Sequence, residues 1–152
     1  MRTNPTQYPV LIAEDNNEDF FSLKRAFKKL KISNPLYRCL DGDDTLDFLY
    51  QRGKYTPETA PRPALILLDL NMPGVSGHEI LQIIKSLAVF KDIPVIILTS
   101  SAREKDIAES YRDGANSYLV KPVNFENFLD AIELLKDYWL SLVVLPQHGS
   151  NE

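Results

Sequence analysis

The chain has 152 residues, with 17 Lys+Arg against 21 Asp+Glu for a formal net charge of −4, and 44% of its residues are hydrophobic. These proportions are typical of a folded globular protein and argue against a disordered chain. The mild negative charge disfavours binding to nucleic acid. No apolar run approaches the roughly 18 residues that a membrane span needs. The chain has one cysteine, Cys39, which cannot form an internal disulfide. We therefore expect a reduced, cytoplasmic protein with neither nucleic acid nor a membrane as a partner.

Five short apolar segments predict buried β-strands. Their Val, Ile and Leu runs suit strands that are covered on both faces, as in a parallel sheet. In chain order they are residues 8–13, 36–40, 64–70, 94–99 and 117–120, of which the second has the weakest pattern. Helical patterns alternate with these segments, so the sequence predicts an α/β protein with a (βα)5, doubly wound, five-stranded parallel sheet.

Local signals indicate where some of the helices begin and end. Ser76 and Ser101 each stand three residues before a glutamate, which is the pattern of a capping box at a helix start. Gly114 stands where the helix before the last strand should end. The polar, proline-rich residues 51–63 predict a long surface loop. We expect one domain over residues 1–142, a C-terminal arm over 143–152, and no output domain.

Polar residues stand at the carboxyl ends of four of the predicted strands. In chain order they are Glu14, Asp15, Asp69, Asn71, Thr99 and Lys121. The carboxyl ends of parallel strands meet at one edge of the sheet, so these side chains should converge there. Clustered carboxylates repel one another, so a bound cation would stabilise them. Carboxylate oxygens are hard ligands of the kind that Mg²⁺ prefers. A carboxylate nucleophile, a metal, an ammonium and a hydroxyl are the groups that phosphoryl transfer requires. Each residue alone has an ordinary explanation, such as a helix cap, but the full set in this order predicts a site.

The motifs around these residues resemble a known family. LIAEDNNED, LILLDLNMPGVSG, PVIILTSSA and GANSYLVKPV are similar to the motifs of receiver domains in two-component response regulators, and the likeness covers residues 8–140. The resemblance implies a flavodoxin-like or CheY-like fold and a phosphoryl group accepted on Asp69 from a histidine of a sensor kinase. It also implies that Lys121 and Thr99 bind phosphoryl oxygens, and that Tyr118 turns inward as Thr99 moves.

The same resemblance implies a Mg²⁺ site. Asp15 would bind the ion directly, Glu14 through water, and Asn71 through its backbone carbonyl. It further implies a cis bond between Lys121 and Pro122. More narrowly, the loop RGKYTPETAPRP and the ending YWLSLVVLP are similar to those of cyanobacterial phytochrome response regulators. This points to a phytochrome as the kinase and leaves the downstream protein unknown.

Two predicted surfaces would serve protein partners. On the first helix, the residues on the face opposite its apolar stripe are Phe21, Lys24, Arg25 and Lys28, and we interpret them as a docking patch for the kinase. On the last helix, a second apolar stripe comprises Ala131, Leu134, Tyr138 and Leu142. We expect this stripe and the arm to form a homodimer.

Three other functions are compatible with parts of the pattern. A Mg²⁺-dependent phosphohydrolase also uses an aspartyl nucleophile, but many place a second acid two residues later, where this chain has Asn71. A flavodoxin-like cofactor carrier needs a phosphate-binding loop after the first strand, where residues 14–19 are acidic. A receiver-like interaction module that is never phosphorylated is the third. We expect a signalling protein that is not an enzyme in the usual sense.

Overall fold

A five-stranded parallel sheet forms the centre of the chain in the computed structural model, which describes residues 7–146. The strands are β1 (Val10–Ala13), β2 (Leu36–Cys39), β3 (Leu65–Leu68), β4 (Val95–Thr99) and β5 (Ser117–Val120). Their spatial order is β2-β1-β3-β4-β5, and all neighbouring pairs are parallel. Every residue of β1, β3 and β4 is buried, as the continuous apolar runs predicted.

Five helices alternate with the strands. They are α1 (Asn17–Lys29), α2 (Gly42–Tyr50), α3 (Gly77–Ser86), α4 (Glu104–Arg112) and α5 (Phe125–Leu135). A π-helical segment, Lys136–Leu142, continues α5, and the backbone N–H of Val143 donates to the carbonyl of Tyr138 five residues earlier. The predicted (βα)5, doubly wound fold is confirmed.

Alternating strand residues belong to two apolar clusters, one on each face of the sheet. On one face, Leu11 and the strand residues that point the same way pack with α2 and α3. On the other face, Ile12 and the strand residues that point its way pack with α1 and α5. This is the period-two pattern expected of strands covered on both sides. Within residues 7–146, neither cluster includes a residue of α4, whose buried residues are the polar Asp106 and Ser110.

The helix signals were correct at one capping box and wrong at the other. Ser76 caps α3 and accepts a hydrogen bond from the N–H of Glu79 at 3.3 Å. Ser101 does not cap α4, because α4 begins after Arg103 and the Ser101 hydroxyl donates instead to the buried carboxylate of Asp106 at 2.5 Å. Gly114 has φ of +104° and follows the end of α4, as predicted.

The polar residues 51–63 form a loop of turns without helix or strand, as predicted. Tyr55 fixes this loop to α2, since its hydroxyl donates to Asp44 at 2.7 Å and its ring packs on Phe48 with centroids 5.1 Å apart. At the other end of the chain, Leu140 and Leu145 are buried. Residues 147–152 of the predicted arm lie outside the described residues.

Candidate functional site

Glu14 and Asp15 leave the end of β1 in opposite directions. Glu14 is buried, and its carboxylate accepts a hydrogen bond from the N–H of Asn16 at 3.2 Å. Asp15 is exposed, and its backbone carbonyl accepts from Arg38 at 3.3 Å. Successive side chains of an extended chain point to opposite sides, which explains why one acid faces inward and the next faces solvent.

Asp69 stands at the end of β3 with both carboxylate oxygens engaged. Its Oδ1 accepts from the Thr99 hydroxyl at 2.9 Å and from the N–H of Asn71 at 3.0 Å. Its Oδ2 lies 2.9 Å from the Lys121 ammonium. The structure therefore brings Asp69, Thr99 and Lys121 together at one edge of the sheet, as predicted.

Lys121 joins three acids. Its ammonium contacts Glu14 closely, and it lies 2.9 Å from both Asp19 and Asp69. The resemblance implied a cis bond before Pro122, but every peptide bond among residues 7–146 is trans, so this expectation was wrong. The side chain reaches the acids without a cis bond because β5 ends beside β4, where the N–H of Lys121 donates to the carbonyl of Thr99 at 2.7 Å.

Asp19 is a site residue that the sequence motifs did not predict. It lies in the first turn of α1, where Asn16 caps the helix by accepting from the N–H of Asp19 at 2.9 Å. The available signal was its position three residues after the cap, on the turn that faces the strand ends. Carboxylate oxygens of Glu14, Asp19 and Asp69 lie within 4.8 Å of one another, whereas Asp15 is not part of that group.

Burial and charge set the electrostatics of this pocket. Removal from water raises the pKa of Glu14 to about 7, although the hydrogen bond from Lys121 opposes the shift. Burial alone would lower the pKa of Lys121, but its hydrogen bond to Glu14 and the charge of Asp69 outweigh burial and raise that pKa. The acids of the pocket therefore keep Lys121 protonated, and they outnumber its positive charge.

Gly77 allows α3 to pack directly on the chain that follows Asp69. Its N–H donates to the carbonyl of Leu70 at 3.1 Å, and a Cβ at this position would lie only 2.5 Å from the Cα of Leu70. A side chain larger than hydrogen does not fit there. This contact fixes the backbone that carries Asp69 and Asn71.

Tyr118 lies outside the acid cluster but is linked to it through the chain after β4. Its hydroxyl donates to the backbone carbonyl of Ser101 at 2.9 Å, and its half-buried ring packs against the apolar cluster of α2 and α3. Ser101 follows Thr99 by two residues. Of the two predicted switch residues, Thr99 thus begins this short segment and contacts Asp69, while Tyr118 binds the segment two residues later.

The two predicted partner surfaces are exposed. Phe21 is 59% exposed on α1 beside the exposed Lys24, Arg25 and Lys28. The guanidinium of Arg25 stacks over the ring of Phe125 at 4.2 Å.

On α5 and the π-helical segment, the second apolar stripe is equally accessible. Leu134 is 71% exposed, Leu142 is 73% exposed, and Tyr138 is also exposed, whereas Ala131 is half-buried. The first stripe of the same helix, by contrast, packs into the core through Phe128 and Ile132.

Comparison with known proteins identifies the family. The model of the response regulator receiver domain matches residues 10–133. The response regulator Rcp1 of Synechocystis sp. is 38% identical over 144 residues, which are 95% of this chain and 96% of Rcp1. A probable methanogenesis regulatory protein, FilR2 of Methanothrix harundinacea, is 37% identical over 133 residues, 86% of this chain and 83% of FilR2.

Solved structures give the same result. The Mn(2+)-bound form of Rcp1 superposes with a TM-score of 0.85 at 37% identity, covering 92% of this chain and 99% of that chain. The phosphorylated cyanobacterial phytochrome response regulator RcpA superposes with a TM-score of 0.86 at 34% identity, covering 93% and 99%. The predicted resemblance to receiver domains, and more narrowly to cyanobacterial phytochrome response regulators, is confirmed. No helix within residues 7–146 is long and apolar enough to cross a membrane. The chain belongs to the response regulator receiver domain family.

Proposed function

We propose that Asp69 accepts a phosphoryl group from a histidine of a sensor kinase and that the chain then changes its protein contacts. The setting of the Asp69 carboxylate is the observation that carries the proposal. The Thr99 hydroxyl and the Lys121 ammonium hold its two oxygens, each at 2.9 Å. A carboxylate placed between a donor and a cation can act as a nucleophile, and both partners are available to the oxygens of its product.

The transfer needs little covalent chemistry from the protein. One oxygen of Asp69 forms a bond to phosphorus while the bond from phosphorus to the kinase imidazole breaks, and the electron pair of that bond stays on the imidazole nitrogen. Lys121 balances the added negative charge, and Thr99 donates a hydrogen bond to the phosphoryl group. The chain would thus catalyse only its own phosphorylation and dephosphorylation, as a signalling protein rather than an enzyme with a separate substrate.

Mg²⁺ is the cation that we propose for this pocket. The three carboxylic acids Glu14, Asp19 and Asp69 outnumber the one ammonium of Lys121, and carboxylate oxygens are ligands that Mg²⁺ prefers. Glu14 and Asp69 would hold the ion, together with Asp15 and the backbone carbonyl of Asn71, and Asp19 is a further candidate. When bound, Mg²⁺ would neutralise charge on the phosphoryl oxygens. The Mn(2+)-bound structure of Rcp1 supports a divalent cation in this kind of domain.

The partner proposals rest on the exposed surfaces. A sensor histidine kinase, specifically a phytochrome, would dock at Phe21, Lys24, Arg25 and Lys28, and the likeness to RcpA supports the phytochrome.

A homodimer would form through the second apolar stripe, which includes Leu134, with residues 143–152 as the arm. Burial of these exposed apolar side chains against a second copy would lower the free energy of the pair. Light scattering gives the mass of the chain in solution, and a monomer at high concentration both with and without beryllofluoride would contradict the dimer.

A phosphotransfer assay tests the proposed function. A purified phytochrome-type kinase, first autophosphorylated with labelled ATP, should pass its label to the wild-type chain in the presence of Mg²⁺. Asp69→Asn should accept none, because an amide is not a nucleophile for this step. Asp113→Asn, at an aspartate outside the pocket, serves as the matched control and should be labelled like the wild type. Labelling of Asp69→Asn at the wild-type rate would exclude Asp69 as the acceptor.

A further inference from the structure

The buried residues of α4 are polar. Within residues 7–146, α4 adds no residue to either apolar cluster, and Asp106 and Ser110 are its buried residues. A buried carboxylate is costly unless its oxygens are paired. The partners of Asp106 therefore decide where the start of α4 and the segment before it can lie.

Asp106 binds three groups from two directions. Its Oδ2 accepts from the Ser101 hydroxyl at 2.5 Å and from the Arg103 guanidinium at 3.0 Å, and both donors lie in the segment between β4 and α4. Its Oδ1 lies 3.1 Å from the imidazole Nε2 of His78 on α3. The hydrogen bonds from Ser101 and Arg103 hold the pKa of Asp106 well below its usual range, so the group is ionised at neutral pH.

Ser101 connects this carboxylate to the proposed phosphorylation site. Its hydroxyl is bound by Asp106, while its backbone carbonyl accepts from the hydroxyl of Tyr118 at 2.9 Å. Two residues earlier, Thr99 donates to Asp69 at 2.9 Å. A displacement of Ser101 would therefore remove the hydrogen-bond acceptor of Tyr118 and pull on the backbone next to Thr99.

We propose that Asp106 is a positioning residue for the response to phosphorylation: it holds Ser101 where the Tyr118 hydroxyl can bind it while Thr99 is turned to Asp69. This inference rests on the proposed phosphoacceptor function. The conformation stabilised by Asp106 is the one in which Thr99 contacts the acceptor, so Asp106 raises the share of molecules ready to bind a phosphoryl group. By thermodynamic linkage, loss of Asp106 must weaken binding of a phosphoryl mimic.

Titration with beryllofluoride in Mg²⁺ measures this coupling. We expect Asp106→Ala to bind beryllofluoride about tenfold more weakly than the wild type, toward the lower end of usual coupling strengths. Mg²⁺ alone should bind both proteins with equal affinity, because Asp106 does not contact the acid pocket. The ring resonances of ¹³C-labelled Tyr118 should report a smaller shift in the variant on saturation, which a general loss of stability would not produce.

A second cross-link between α3 and α4 offers a matched control. The amide of Gln82 donates to Asp113 at 3.1 Å, far from Ser101 along α4. Asp113→Ala removes a carboxylate that also joins the two helices, and it should leave the beryllofluoride affinity at the wild-type value. Equal affinities for Asp106→Ala and Asp113→Ala would overturn the inference.

A milder variant covers the case in which Asp106→Ala does not fold. Ser101→Ala keeps the carbonyl that accepts from Tyr118 and removes only the hydroxyl bound by Asp106, so we expect beryllofluoride to bind about threefold more weakly. An unchanged affinity in a folded Ser101→Ala would then refute the positioning role alone. A wild-type chain that does not bind beryllofluoride would overturn the proposed function together with this inference.

Discussion

Replacement of Lys121 by Met tests the electrostatics of the acid pocket most directly. Met has a similar length and removes only the positive charge. In the wild type this ammonium contacts Glu14, Asp19 and Asp69, and the side chains of Glu14 and Asp69 are almost fully buried. The variant leaves three carboxylates within 4.8 Å of one another without a counter-charge.

The expected loss follows from the distances. At 2.9 Å and an effective dielectric constant of about 20, the attraction between Lys121 and Asp69 is about 6 kcal/mol, most of which offsets the cost of burying the charges. Removing one partner of a buried ion pair costs about 3–5 kcal/mol of unfolding free energy. Lys121 lowers the pKa of Glu14, which is about 7 in the wild type, so the variant should hold the Glu14 proton more tightly, and this proton partly replaces the ammonium at lower pH. The loss should therefore be smaller near pH 6 than near pH 8.

Urea unfolding of wild type and variant measures this loss, in EDTA and in saturating MgCl₂. Mg²⁺ should reduce this loss, because the acids of the variant have no competing ammonium and should bind the cation more tightly in the folded state than those of the wild type do. Lys54→Met is the control, since Lys54 pairs with Asp44 at 3.5 Å but its side chain is 69% exposed, and we expect a change within about 0.5 kcal/mol. A loss for Lys121→Met that is the same at both pH values and unaffected by Mg²⁺ would refute this account of the pocket.

Three further predictions follow from other contacts. In EDTA, the unfolding free energy of the wild type should fall by about 2–3 kcal/mol between pH 4.5 and pH 7, because the folded state holds the Glu14 proton more tightly than the unfolded state does. Glu14→Gln should flatten that profile, and an unchanged slope in urea titrations would contradict it. Gly77→Ala should lower the melting temperature through a loss of about 2 kcal/mol or more, since the new methyl group would meet Leu70, and calorimetry checks this. Leu134→Asp combined with Tyr138→Asp should separate a dimer without unfolding the monomer, as light scattering and circular dichroism would show; unfolding would instead place the stripe in the core.

Most of the fold and the centre of the site could be predicted from the sequence. Continuous apolar runs are typical of strands covered on both faces, and parallel strands put their carboxyl ends at one edge of the sheet. Glu14, Asp69, Thr99 and Lys121 each stand at the end of a predicted strand, so their position at this edge could be predicted, whereas the outward direction of Asp15 could not.

Residues whose placement depends on helix orientation could not be predicted in this way. Asp19 contacts Lys121 because it lies on the side of the first turn of α1 that faces the strand ends. The sequence alone does not distinguish Asp19 from its neighbour Glu18, which is also acidic but exposed. Asp106 is buried, although no sequence motif marks it among the other charged residues of α4. The capping-box pattern at Ser101 misled for the same reason, since the hydroxyl binds that buried carboxylate instead of the helix start.

The π-helical segment after α5 can absorb the loss of one residue. Its hydrogen bonds, such as the one from the N–H of Val143 to the carbonyl of Tyr138, span five residues where those of an α-helix span four. A π-helical turn therefore holds one residue more than α-helical bonding needs. Deletion of the exposed Ser141 would allow ordinary α-helical bonding and leave the chain downstream pointing in nearly the same direction, so Leu145 would stay in the core. Deletion of one residue from α5 would instead turn the chain downstream by about 100°, so a one-residue deletion should be tolerated better in Lys136–Leu142 than in α5.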